Sequence, residues 1–257
     1  MARPIVTGVT GHRSKAEHVA QQLLERIIEA RLAPGSSFGT EAELLTQFDV
    51  SRPTLRESLK ILESQGVLGL RPGPGGGIIV KKPSIDMLAH GLSVFLRMRE
   101  VPFLAVLKAR EAIEPALAAE AAAHGSDADF AELEASIERM KSLQSTRDQD
   151  AFIEENRVFH GIIARASGNQ VLEVFWSTIS VLAGGEHHGV RYSVGNQQHV
   201  IAAHERILKA CRGRNREAAA LAMETHVNDL ENLVRVRDLR RLSRPTSVAP
   251  RPGRSAR

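Results

Sequence analysis

Asn156 and His160 stand four residues apart, so on a helix their side chains share one face. His204 and His226 fall in later helical stretches. Neutral imidazole suits zinc, nickel, copper and iron, and an oxygen ligand one turn away completes a site of the kind built inside helical bundles. Ten histidines in 257 residues produce such pairs by chance. Spacing alone therefore favours isolated hydrogen-bonded or surface histidines over a shared site. Arg110 carries a planar fork suited to a carboxylate, or else it pairs with Glu114 one turn later. His187, His188, Tyr192 and His199 lie between the candidate ligands, as surface or loop residues or as pocket lining. A second set is Arg52, Thr54 and Arg56, which follow Ser51 at the start of a helix. Guanidinium and hydroxyl groups on a first helical turn can reach base edges in a major groove.

The elements that position the second set run from residue 40 to residue 80. Thr40 caps a helix, with Glu43 completing a capping box. Leu44, Leu45 and Phe48 give that helix an apolar face, and Asp49-Val50 makes a turn. Ser51 caps the next helix, where Pro53 is tolerated in the first turn. Leu55, Leu59 and Leu62 face the core, and Gly66 ends the helix. A strand over 67–71, the loop Pro72 to Gly77 and a strand over 78–80 form a glycine-tipped hairpin, followed by Lys81-Lys82. Helix, turn, helix and hairpin make a winged helix-turn-helix.

Beyond Pro83-Ser84 the chain reads as helices only, at about 85–99, 102–124, 127–145, 148–167, 170–184, 196–212 and 214–240, punctuated by Pro and Gly. The expected fold class is mainly α: an N-terminal winged helix-turn-helix with a small β-hairpin wing, then a C-terminal all-α antiparallel helical bundle. The expected organisation is a disordered N-terminus over 1–13, the DNA-binding domain over 14–83, the helical domain over 84–238 and a disordered basic tail over 239–257.

Charge follows this division. Residues 1–83 carry 11 basic and 8 acidic side chains, residues 84–238 carry 17 and 22, and residues 239–257 carry 6 and none. A basic head and tail on an acidic body fit a DNA-binding protein whose body does something else. The lone Cys211 excludes an internal disulfide framework and fits a reducing cytoplasm as a small buried residue. No apolar run is long enough for a spanning helix, and no signal peptide is evident.

Residues 18–83 resemble the N-terminal domain of GntR-type bacterial transcription regulators. The likeness is carried by Ile27–Leu32 with Pro34-Gly35, Glu43-Leu44-Leu45, the run Val50 to Leu59, Leu62-Glu63, Gly66-Val67-Leu68 and Gly75–Val80. The resemblance implies DNA contacts at Arg52, Thr54 and Arg56 and a wing in or beside the minor groove. With their neighbours these give an interface of Thr40, Ser51, Arg52, Thr54, Arg56, Arg71, Gly75, Gly76 and Lys81. Many members carry an arginine near Ala42. Here the sequence is Glu41-Ala42-Glu43, so that contact is lost and the operator is expected to differ.

Residues 84–236 resemble the all-helical ligand-binding domain of the FadR branch of this family, the FCD domain. The matching pieces are Arg110 to Pro115, Phe159-His160 leading to Ala166-Ser167-Gly168-Asn169, His204 to Leu208, and Ala218-Ala219 with Met223 and His226. The resemblance implies a divalent metal (Zn, Ni or Mn) on Asn156, His160, His204 and His226. Asn156 stands where metal-binding members usually have Asp, so the ligand set is neutral and weaker binding is expected. It also implies a small carboxylate effector beside the metal, with Arg110 as its partner. The functional expectation is a cytoplasmic homodimeric repressor of a palindromic operator, released by that effector. Two alternatives stand beside it: a metal-dependent hydrolase or lyase, and a ligand-independent architectural DNA-binding protein. The first lacks an HExxH helix, a nucleotide-binding glycine loop and a nucleophile elbow. The second would not need so large an acidic body.

Overall fold

The computed structural model describes residues 14–71, 73, 77–146, 148–183 and 193–242, with side chains through Asp229 and without that of Ser145. The first unit contains α1 (Lys15–Glu29), β1 (Ser37–Gly39), α2 (Glu41–Phe48), α3 (Arg52–Ser64), β2 (Leu68–Arg71) and β3 (Gly77–Val80). Ser14 opens α1 with a capping box to Glu17, and Thr40 opens α2 with one to Glu43. Asp49 ends α2 in a left-handed conformation, φ 48°, which turns the chain towards α3. Aspartate is one of the few side chains that tolerate this backbone. Gly66, φ 70°, closes α3. Its N–H donates to Glu63 and that of Val67 to Leu62, at 2.9 Å each, so both carbonyls keep partners where the helix stops.

Leu55 and Leu62 are buried as expected, against Leu23 and Ile27 of α1 and Leu44 of α2. Leu59 is only half-buried. Ser58 takes the buried place instead, with its hydroxyl 2.8 Å from the carbonyls of Ala16 and Thr54. The hairpin expected after α3 is part of a three-stranded antiparallel sheet ordered β1-β3-β2. Leu68 pairs with Val80 and Arg71 with Gly77, while Ser37 pairs with Ile79 across the other edge. β1 is too short to show a period-two alternation, which is why it escapes sequence reading. At Gly77 a Cβ would stand 3.0 Å from the Gly39 carbonyl, so glycine permits the close approach of β1.

The helices that follow are α4 (Ile85–Met98), α5 (Phe103–His124), α6 (Asp127–Thr146), α7 (Gln149–Ala166), α8 (Gln170–Ala183), α9 (Val194–Arg212) and α10 (Arg216–Leu242). The chain divides between Leu88 and Ala89, inside α4, rather than at the expected 83/84. α10 continues past residue 238, so the tail expected from 239 begins as helix. The expectations for 1–13 and for 243–257 lie outside the described residues, as do Gly75, Gly76, His187, His188 and Tyr192. Among the described residues no helix is long and apolar enough to cross a membrane.

The bundle core joins Ala118, Ala121 and Ala122 of α5 to Phe152 and Phe159 of α7, Ile207 and Cys211 of α9, and Met223 of α10. α5 touches α7, α8, α9 and α10, and its buried alanines leave room for so many neighbours. Burial pushes the Cys211 thiol up to about 12, so it is a packing residue and not a nucleophile. Ala121 has no exposed surface. Ala121→Leu should therefore overpack the bundle and cost about 1–3 kcal/mol, read as a lower urea midpoint with an unchanged slope.

Candidate nucleic-acid interface and metal centre

Ser51 caps α3 by accepting from the Thr54 N–H at 3.4 Å, and the two hydroxyls lie 2.8 Å apart. Thr54 is thus engaged with the cap, while Arg52 and Arg56 project from the first two turns with side chains about three-fifths exposed (62% and 60%). Glu41, at the start of α2, accepts from Arg56 Nε at 3.0 and 3.2 Å and lies 3.7 Å from Arg52 Nε. This carboxylate was absent from the interface expected from sequence. Its partners lie on another helix, and no spacing rule marks them. Thr40 is exposed but tied to Glu43, whose carboxyl is lowered by the Thr40 N–H and then by its hydroxyl. Arg71 and Lys81 are exposed on β2 and just after β3.

The second unit brings its histidines together. His160 Nε2 and His204 Nε2 each lie 3.1 Å from His226 Nε2, and all three ligand nitrogens fall within 4.8 Å of one another. Two nitrogens about 2.1 Å from one ion are about 3.0 Å apart at an octahedral angle and about 3.4 Å apart at a tetrahedral one, so the two 3.1 Å spacings are near those of a shared ion. The rings are buried, and Phe159 stacks on His204 with centroids 3.7 Å apart. Asn156, one turn before His160, has a buried Oδ1 without a hydrogen-bond partner among the described residues. A buried, unpartnered amide oxygen one turn from His160 has the chemistry of a fourth ligand.

Glu114 organises this cluster. Its carboxylate meets Arg110 Nε on its own helix and His160 Nδ1 on α7, and it has almost no exposed surface. Burial alone would raise its carboxyl, but Arg110 and His160 hold it well below the usual carboxylate range. The carboxylate sits as an ionic contact against Nδ1, the side from which carboxylates back metal-bound histidines, while Nε2 faces His226. The ion pair with Arg110 was weighed from sequence as an i, i+4 contact. The bridge to His160 was not, because it crosses between helices. Arg110 is buried, with its Nε edge on Glu114. Glu205 is exposed, 2.9 Å from Lys141, and takes no part.

A winged helix-turn-helix followed by a helical bundle with a buried imidazole cluster defines a DNA-binding protein with a separate sensing domain. Comparison with known proteins gives the family. Residues 15–78 match bacterial regulatory proteins of the gntR family, and residues 105–229 match the FCD domain. The chain belongs to the GntR family and carries a C-terminal FCD domain. It is a DNA-binding transcription regulator and not an enzyme. It is 25% identical over 213 residues to the HTH-type transcriptional regulator LutR of Bacillus subtilis (strain 168), covering 81% of this chain and 95% of that protein. It is 28% identical over 237 residues to the HTH-type transcriptional repressor NanR of Citrobacter rodentium (strain ICC168), covering 85% of each. A solved structure of a Streptococcus agalactiae GntR protein shares the fold, with TM-score 0.71 and 24% identity over 84% of this chain and 99% of that one.

Burial first, then the neighbouring imidazoles and Arg110, holds His204 and His226 well below the ordinary imidazole value of 6.5, with Glu114 opposing at His226. Below that value the unfolded chain binds more protons than the folded one, so stability rises with pH. In metal-free protein the contribution should be complete above about pH 6.5 and shrink as pH falls below it. Urea unfolding between neutral and mildly acidic pH checks this, and His226→Gln should flatten the dependence.

Proposed function

We propose that the protein is a repressor that binds a palindromic operator as a homodimer and is released by a small carboxylate-containing effector. The observation that carries this reading is the exposed start of α3, where Arg52 and Arg56 stand clear of the core on its first two turns. One such helix reads only a few base pairs, and a two-fold pair reads a palindrome. The relatives named repressors support the direction of control. A second copy is supported by α8, where Val171, Val174, Phe175 and Val181 leave an exposed apolar stripe at helical spacing.

Asn156, His160, His204 and His226 would hold a divalent ion, and an ion with an open position draws a carboxylate oxygen. Glu114 keeps His160 oriented, and Arg110 supplies the fixed positive charge near the cluster. An effector bound there shifts the protein towards the arrangement that binds it better, and operator affinity falls by the same coupling. Because the four protein ligands are neutral, an added carboxylate should strengthen the site.

Two experiments test the two halves. Arg52→Ala or Arg56→Ala should abolish specific operator binding at fixed salt without unfolding the protein, since each good base contact is worth about 1–3 kcal/mol and a dimer loses it twice. Unchanged affinity in both would remove α3 from the interface. In metal titrations followed by elemental analysis, Asn156→Asp should tighten Zn, Ni or Mn binding and His204→Ala or His226→Ala should remove it. The histidine variants should still bind operator but lose the response to effector. Stoichiometric uptake by neither wild type nor Asn156→Asp would leave the cluster as core hydrogen bonding.

A further inference from the structure

We infer that Glu41 is a specificity-determining residue, acting by positioning Arg56 and Arg52 rather than by stabilising α2. The inference rests on the reading of α3 as the recognition helix. Arg52 and Arg56 are four residues apart on α3, where like charges repel. Left alone, two exposed guanidiniums of this kind would splay and sample many rotamers. Glu41 lies between them on the neighbouring helix. Both of its oxygens lie on Arg56 Nε, at 3.0 and 3.2 Å, and Oε1 is 3.7 Å from Arg52 Nε.

The geometry matters because arginine has two edges that can take a bidentate partner. One is the side edge that includes Nε, and the other is the end edge formed by the two terminal nitrogens. Glu41 occupies Arg56 at Nε, so the end edge is the one offered to DNA. A fixed end edge matches guanine O6 and N7, the pair of acceptors that arginine reads in the major groove. A loose arginine would instead find the nearest phosphate, which carries no sequence information. Glu41 also places a negative charge where DNA phosphates approach, which lowers affinity for every sequence alike. Its two effects therefore have opposite signs. Non-specific binding is weakened, and the preference for the correct base is sharpened. Ala42 adds no side chain able to do either.

The test uses the full-length protein and duplexes that the wild type enriches from a randomised pool, with scrambled duplexes of the same length as the non-specific reference. Glu41→Ala should bind the scrambled duplexes more tightly than wild type. Its ratio of enriched to scrambled affinity should fall by about fivefold or more, the lower end for one arginine–guanine contact. Glu41→Asp keeps a charge at the first turn of α2 but is one methylene short of Arg56, so its ratio should fall as in Glu41→Ala. Glu41→Gln keeps the length and an acceptor oxygen and should retain most of the preference. An unchanged ratio in Glu41→Ala overturns the inference, and so does a wild-type ratio in Glu41→Asp, which would mean that helix stabilisation is the whole role. Arg56→Ala, run alongside, separates the two readings. If it and Arg52→Ala both discriminate like wild type, the assignment of α3 itself fails, and if only Arg56→Ala does, the positioning of Arg56 is overturned.

Discussion

The carboxylate of Glu114 is the contact on which the sensing domain depends. It is buried between a guanidinium on its own helix and an imidazole on the next layer. Buried charges are tolerated only when paired, and breaking such a pair by removing one partner typically costs about 3–5 kcal/mol. Here the pair has a second consequence. Glu114 lies on the Nδ1 side of His160, and the other nitrogen of that ring faces His226. The cluster is therefore arranged before anything binds, and α5, which supplies both Arg110 and Glu114, becomes the reference against which α7, α9 and α10 are set. Pro115 follows at once, so α5 lacks one backbone donor beside this contact and Glu111 loses its helical hydrogen-bond partner.

The two units use acidic groups in contrasting ways. Glu114 is inside, and its charge is matched locally. Glu41 is about one-third exposed beside Arg52 and Arg56, where charge balance is a question of partner and salt. The head is basic overall, yet its two most prominent arginines are partly answered before DNA arrives. Other exposed cations, Arg71 and Lys81, stand beside the sheet.

The helix-turn-helix was legible in sequence because its stops and starts are chemical: Thr40 with Glu43, Asp49, Ser51 with Pro53, and Gly66. Each is a local solution to unpaired backbone groups, and local solutions survive without knowledge of the fold. The helices of the second unit were legible for the same reason, through Gly and Pro punctuation. β1 was not, since Ser37-Phe38-Gly39 is extended only because β3 lies beside it. The candidate centre divides in the same way. Asn156 with His160 and Arg110 with Glu114 are one-turn pairs that periodicity exposes. The meeting of His204 with His226, the bridge from Glu114 to His160, and the clamp of Glu41 on Arg56 are tertiary, and no pattern in one chain announces them. The likeness to a family pointed to the three histidines together, whereas Glu41 and the Glu114 bridge emerged only from coordinates.

The position of His226 on the last helix has a consequence for the order in which a newly made chain acquires its properties. The first unit owns a complete core, from Val19 to Val80, and is finished when residue 88 has emerged. The imidazole cluster waits for α10, because His160 meets a partner 66 residues further along and His204 one 22 residues further along. At about 5–20 residues per second of synthesis the interval is on the order of ten seconds. During it the ribosome carries a folded head and no assembled imidazole cluster. On the proposed reading, nascent molecules present Arg52 and Arg56 before they can hold an effector. A chain cut short ahead of α10 would lack His226, the ring that both other imidazoles meet.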